Sequence, residues 1–388
     1  MVQSYTLFTS EVDVPDIAVG DIMEQLADIL LCTNTVGIVA CHYDHVECGV
    51  IAALQQVLPF PLIGCTTFYK STPAAGDLFA LTITVLTSDD VHFAQSFTNC
   101  TSGQASPEET IRGTYQRAFE QYGAVPSLII SFISTNRPIS GDAYLRILDG
   151  VSGNVPVFGA VDSGEDDSGA NTYIIGDGNA FSDGIVMLLV IGDIDAKMYV
   201  NAPIDKRLLA FSATVTSAQG TLVKEINGQV AASYLRKNGI DVYDANETIM
   251  TSMPFYCHRP GSDAFICRLI KAVLDDGSIE FMAEIPEGTI LRVGTVTADD
   301  ILQESASIMR TAVLENPQAF LFLMASCVGR FITLGLDTTA EIDHAVKAIP
   351  SGKNYMACYA GGEMCPIEMD GTLVNRYHNN TFIVLALR

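Results

Sequence analysis

Short apolar runs alternate with amphipathic stretches along most of the chain, and the alternation repeats. Residues 36–41 form an uninterrupted apolar run of strand length, and 46–58 carry apolar residues at helical spacing. A second run over 60–66 is broken by Gly64, and 78–86 alternate as a strand does. The order then returns: an apolar strand over 128–134, a short helix over 142–148, a strand over 155–161 broken by Gly159, and a strand over 184–191. A looser third copy reads FLMASC, a helix, YMACYAGG and TFIVLAL. Each unit is a strand, a helix, a strand ending near glycine and an antiparallel return. Hairpin pairing is expected between 78–86 and 92–97, and between 172–175 and 184–191.

Outside these copies, residues 5–9 read as a strand, and 14–31 as a helix with Ile17, Ile22, Leu26, Ile29 and Leu30 on one face. Ser106, Pro107 and Glu109 supply an N-cap, a first-turn proline and a capping box, which predicts a helix over 107–122. APIDKR at 202–207 interrupts the strands with proline and charge, so the expected domains are 1–205, internally duplicated, and 206–388. Beyond it come alternating strands, a short helix closed by Asn238-Gly239, and strands such as 278–285. Thr297 with Asp300 opens a helix whose apolar face holds Ile301, Leu302, Ile308, Met309 and Ala312, and Thr338 with Glu341 opens another. The fold class is α/β: two domains with mixed, layered β-sheets flanked by helices, built from repeated strand-helix-strand-hairpin units.

Composition narrows the function. At 388 residues and 48% apolar, the chain has enough material for two cores. A net charge of −24 argues against nucleic acid and anionic membranes, which need clustered Lys and Arg. The ten cysteines lie mostly inside apolar patterns without a Cys-x-x-Cys pair, and the start lacks a basic and apolar leader, so reduced thiols in the cytoplasm are expected. The apolar run 319–336 contains Arg330 and is too short to insert in a membrane.

Candidate chemistry concentrates between 319 and 363. One apolar run ends in Cys327 and Arg330, and a second ends in Gly361, Gly362 and Glu363, bringing a thiol, a guanidinium, bare backbone and a carboxylate to neighbouring strand ends. Arg330 in an apolar run must be paired, with Glu341 or Glu363 or with a ligand carboxylate. Cys327 is either a packing thiol or a nucleophile activated by Arg330. Glu363 suits an ammonium or hydroxyl. Gly64, Thr66 and Thr67, with Gly159 and Asp162, occupy the corresponding strand ends of the first two copies. His42 and His45, three apart and near Cys41 and Cys48, have metal-ligand character without zinc spacing, and His258 and His378 are the candidates for a haem axial ligand. The acidic stretch 162–171 fits no calcium pattern and reads as a solvated loop or a lid. Phosphate-loop and serine-hydrolase motifs are missing.

PLIGCTT, VPVFGAVD and DGIVMLLVIGD in the first half, and KEINGQVAASYL, IEFMAEIPEGTILRV, FLMASCVGRFITLG, the glutamate of TAEIDHAV, YAGGEMCPI and HNNTFIVLAL in the second, carry a resemblance. With these motifs, above all SCVGR and GGE, the chain resembles the FIST family of bacterial sensory proteins, which pair an N-terminal with a C-terminal FIST domain. The resemblance implies a cytoplasmic module that binds a small ligand, an amino acid or similar small carboxylate, and signals to a separate protein, since no output domain is recognised. The alternatives are a haem-binding nitric oxide sensor and an enzyme using Cys327. GCTTFYK departs from the glycine and glutamate that the family usually has after the threonines.

Overall fold

The computed structural model describes residues 1–101, 105–137, 139–164, 171–201, 207–243, 247–258, 260, 265–335, 339–369 and 371–388. Thr338, most of the acidic loop and the proline-containing segment 202–206 lie outside these residues. The first unit contains β1 (Gln3–Thr9), α1 (Pro15–Leu26), β2 (Asn34–Cys41), α2 (Asp44–Glu47), α3 (Val50–Val57), β3 (Leu62–Thr66), the short β4 (Lys70–Ser71) and β5 (Gly76–Asp77), and β6 (Leu81–Ser88). The helix expected over 46–58 divides at Gly49, which has φ 83°. The second unit contains β7 (His92–Asn99), α4 (Pro107–Phe119), β8 (Leu128–Ile133), α5 (Gly141–Ser152), β9 (Val157–Val161), β10 (Ile174–Gly176), β11 (Asn179–Phe181) and β12 (Gly184–Ile191).

β13 (Ala196–Asn201) follows, and then a segment over 213–293 with eight strands, β14–β21, and the helices α6 (Ala231–Lys237) and α7 (Glu247–Ser252). The third unit contains α8 (Ala298–Glu315), β22 (Leu321–Cys327), α9 (Val328–Thr333), α10 (Ala340–Val346), β23 (Asn354–Ala360), β24 (Gly362–Met369), β25 (Thr372–His378) and β26 (Phe382–Leu387).

The units form three six-stranded mixed sheets on one plan. In each, two parallel strands (β2–β3, β8–β9, β22–β23) have an antiparallel return on one side (β6, β12, β26). On the other side lies a hairpin from a different unit. β10–β11 joins the first sheet, β24–β25 the second and β4–β5 the third. The exchange corrects both expected hairpins: β7 pairs with β12 rather than β6, and β10 pairs with β3 and β11 rather than β12. The physical reason is that β2, β8 and β22 are apolar on both faces and need full flanking and covering, which local hairpins alone do not provide. Strands from both sides of residue 205 share the third sheet, where β13 pairs with β26 and β4 with β23.

The inner faces of the three sheets meet in a central core, represented by Ile38 and Ala40, Ile130 and Phe132, and Leu323 and Ala325. Helices cover the outer faces: α1 and α3 on the first sheet, α4 and α5 on the second, α8 and α10 on the third. The inserted sheet packs its own core against α6. Among the described residues no helix is long and apolar enough to cross a membrane.

Local signals hold where they are self-contained. The capping box at Ser106 and Glu109 is formed in both directions. Ser106→Ala is expected to cost about 1 kcal/mol, read as a lowered urea midpoint with an unchanged slope; an unchanged midpoint would show that α4 is held by packing alone.

Candidate functional site

The parallel pairs finish at one junction between the three sheets. Val39 lies opposite Gly64, Ser131 opposite Gly159 and Met324 opposite Ala357, in the same register. The next residues, Cys65, Ala160 and Cys358, all face the central core. Directly opposite partners in an antiparallel pair project to the same face of a sheet. The borrowed hairpins therefore add Ile174 beside Cys65, Glu363 beside Ala160 and Lys70 beside Cys358. Three equivalent positions thus carry an apolar residue, an acid and a base. Lys70 and Glu363 are fully buried, and no ion pair joins them.

Glu363 accepts a hydrogen bond from Thr381 Oγ1 at 2.7 Å through Oε2, while Oε1 has no hydrogen-bond partner. Burial pushes its carboxyl up to about 8; Thr381 and the neighbouring Cys327 thiol oppose the rise, although the thiol does not meet ordinary hydrogen-bond geometry. The same burial, with the Glu363 charge, pushes the Cys327 thiol well above its usual range. That direction opposes the thiolate a nucleophile needs.

Asp162 follows β9 and is likewise buried. Its Oδ1 accepts from the Thr135 amide at 2.6 Å, and Oδ2 has no hydrogen-bond partner. Desolvation raises it to about 7, against the Thr135 amide and the Arg137 charge. The two glycines permit close approach: a Cβ at Gly361 would lie 2.7 Å from the Asp162 carbonyl oxygen, and one at Gly362 2.1 Å from the Tyr377 hydroxyl.

The sequence leaves several partners open for Arg330, and the structure pairs it with Glu341. Arg330 sits not at the strand end but in α9, the single turn after β22. Its guanidinium meets Glu341 Oε1 at 2.7 Å through Nη2 and 2.8 Å through Nε, and donates to Ser305 Oγ at 2.9 Å. Ser305 and Ser326 both donate to the same carboxylate, Ser326 at 2.7 Å. Both charges are buried, so this network fixes α8, α9 and α10 to β22 beside the junction.

The other candidates serve the strand ends. Thr66 Oγ1 accepts from the Tyr173 amide at 2.9 Å, and the Thr66 carbonyl accepts from the Ser163 amide at 3.0 Å. A Cβ at Gly159 would lie 2.1 Å from the Ser131 carbonyl oxygen, so glycine lets β8 and β9 approach. The His378 ring lies 2.8 Å from the Cys365 carbonyl oxygen through Nε2 and is pulled down to about 4 by burial. His45 is bonded through Nδ1 to the His42 carbonyl, and His258 lies in the inserted sheet against Phe265. Among the described residues no group of three or more His, Cys, Asp or Glu is placed to hold a metal.

Lys70, Arg137 and Tyr377 are absent from the sequence candidates. Lys70 Nζ donates to the carbonyls of Thr67 at 3.1 Å and Leu78 at 2.6 Å, and burial pulls it down to about 8. Arg137 donates to the Ser134 carbonyl at 2.7 Å and lies 5.5 Å from the Tyr377 ring centre. The signal for Lys70 was the departure GCTTFYK: a lysine follows the first copy's glycine-broken strand, where the third copy has a glutamate.

Residues 35–229 match the FIST N domain, and residues 229–366 match the FIST C domain. The chain belongs to the FIST family. FIST domains are small-ligand sensory domains of signal transduction. No curated protein matches the chain. Among solved structures, the cyanuric acid hydrolase from A. caulinodans is similar over 100% of this chain and 99% of its own, at 8% identity and a TM-score of 0.40.

Proposed function

We propose that this FIST protein senses a small ligand, an amino acid or a similar small carboxylate, held where the three sheets meet. Glu363 and Asp162 receive the ligand's N–H or O–H donors, Lys70 stands at the edge of the same junction, and the backbone of Gly361 and Gly362 lies against the ligand. Cys327, Thr66 and Gly159 shape the walls, and Arg330 supports them through Glu341. The observation that carries this reading is the pair of buried carboxyls at one junction, each with an oxygen lacking a hydrogen-bond partner. A buried acceptor without a partner costs free energy that a bound donor recovers. The signal passes from the two-domain receptor, 1–205 and 206–388, to a separate cytoplasmic protein, driven by different ligand affinity in two arrangements of the strand ends.

The test is a thermal-shift panel of free amino acids, small carboxylates and haemin on the purified protein and on Glu363→Gln. Binding to the folded state must raise the melting temperature once concentration exceeds Kd. A shift with an amino acid or carboxylate that falls at least tenfold in affinity in Glu363→Gln is the expected result. No shift in the whole panel, or a shift that Glu363→Gln leaves intact, would sink the reading.

A further inference from the structure

Lys70 has an unusual set of neighbours for an ammonium ion. It is fully buried, yet no carboxylate lies within ion-pair distance among the described residues. Its hydrogen bonds go to two backbone carbonyls, of Thr67 and Leu78. A neutral primary amine has two N–H donors and one lone pair, so two carbonyl acceptors satisfy it completely and leave the lone pair uncommitted. An ammonium in the same place keeps a third N–H without an acceptor and a buried charge without a counter-ion. The surroundings hold a thiol rather than a counter-ion: Cys358 lies opposite on β23. Burial also pulls the amine to about 8, and only the thiols of Cys41 and Cys358 and the more distant Asp77 oppose it. The group sits one residue beneath the surface. Leu78, whose carbonyl it holds, is half-buried, and Phe79 beside it is 43% exposed, next to a hairpin of two-residue strands. Short edge hairpins open locally at low free-energy cost.

We propose that Lys70 captures a small carbonyl compound, an aldehyde or 2-oxo acid, as an imine. The inference rests on the junction being the ligand site and names the chemistry of the ligand. The Lys70 nitrogen lone pair forms a bond to the carbonyl carbon while the carbonyl oxygen takes up a proton. The nitrogen gives up both of its protons in the sequence, and the carbonyl oxygen leaves with two as water, so the C=N bond forms with no oxidant or reductant. Water that enters as the hairpin opens supplies the proton that dehydration requires. Desolvated lysines are suited to this role because the neutral form is populated near neutral pH.

The experiment uses glyoxylate and pyruvate on the full chain, with cyanoborohydride to reduce an imine to a stable secondary amine, followed by peptide mass mapping. Exposed Lys224 and Lys237 in the same sample are internal controls. The expected result is one adduct per chain on the Lys70 peptide, formed at least tenfold faster than on the controls, with a rate that levels off above pH 8 instead of climbing towards pH 10. Lys70→Met and Lys70→Arg are expected to lose the adduct, and the arginine variant keeps a cation at the position. A melting shift with either compound and no preferential Lys70 adduct overturns the imine and leaves the ligand site standing. Neither a shift nor a preferential adduct also overturns the imine, and the ligand site then stands or falls on the amino-acid and carboxylate panel.

Discussion

Glu341→Ala is expected to lower folding stability by about 3–5 kcal/mol, the range for removing one member of a buried ion pair. The substitution leaves Arg330 fully buried without the carboxylate that meets its guanidinium, with only the weaker Glu304 charge to oppose its own, and it also removes the acceptor for the Ser305 and Ser326 hydroxyls. The hydrogen bonds that remain for the guanidinium go to Ser305 Oγ and the carbonyls of Ile301 and Asn380, the last two at 3.3 and 3.4 Å. Those are dipoles and do not offset a full charge. The loss should be read as a lowered urea midpoint. Arg330→Met in the same chain is then expected to recover much of it, because a pair of apolar side chains fits a dry site better than one orphaned ion. If the double variant is no more stable than Glu341→Ala, the cost lies in lost packing of α10 and the network is not the cause.

That network also shows why part of the site was legible and part was not. Periodicity found the parallel strands of all three copies, because β2, β8, β22 and their partners are apolar runs with clear ends. The capping boxes of α4 and α8 located their helices because caps are local. Pairing partners were hidden, since the hairpins β4–β5, β10–β11 and β24–β25 each leave their own unit, and nothing within a short window records which sheet receives them. Hence Glu363 was visible as an acid at a strand end, while Lys70 was not visible as its counterpart. Arg330 was correctly required to have a partner, but choosing between Glu341 and Glu363 needed the fold. For Cys327 the sequence left a packing thiol and a nucleophile beside Arg330 both open, whereas the ionisable group that acts on it in space is the Glu363 carboxyl, which raises a thiol instead of activating it.

Between pH 6.5 and 8 the protein is expected to lose roughly 1–2 kcal/mol of stability, with Glu363 the largest contributor. Glu363 is raised from 4.5 to about 8 and Asp162 from 3.8 to about 7, both by burial. An acid with a raised folded value holds its proton more tightly folded than unfolded. Its stabilisation is therefore complete below the unfolded value and fades as pH climbs to the folded one. His45 and His378 are lowered from 6.5 to about 4, again by burial, and so act in the opposite sense, adding stability as pH rises from about 4 to 6.5. Two acids and two histidines nearly cancel below pH 6.5; above it the histidine contribution tapers off as the unfolded chain loses its last protons, while the acids go on losing stability. Lys70, pulled from 10.5 to about 8, adds stability only above pH 8. The melting temperature should accordingly stay level from pH 5 to 6.5 and fall from 6.5 to 8. Glu363→Gln keeps the shape and removes the ionisation, so its decline should shrink by more than half. Parallel profiles for the wild type and Glu363→Gln would mean that Glu363 is ionised in the folded protein throughout and that the decline has another source.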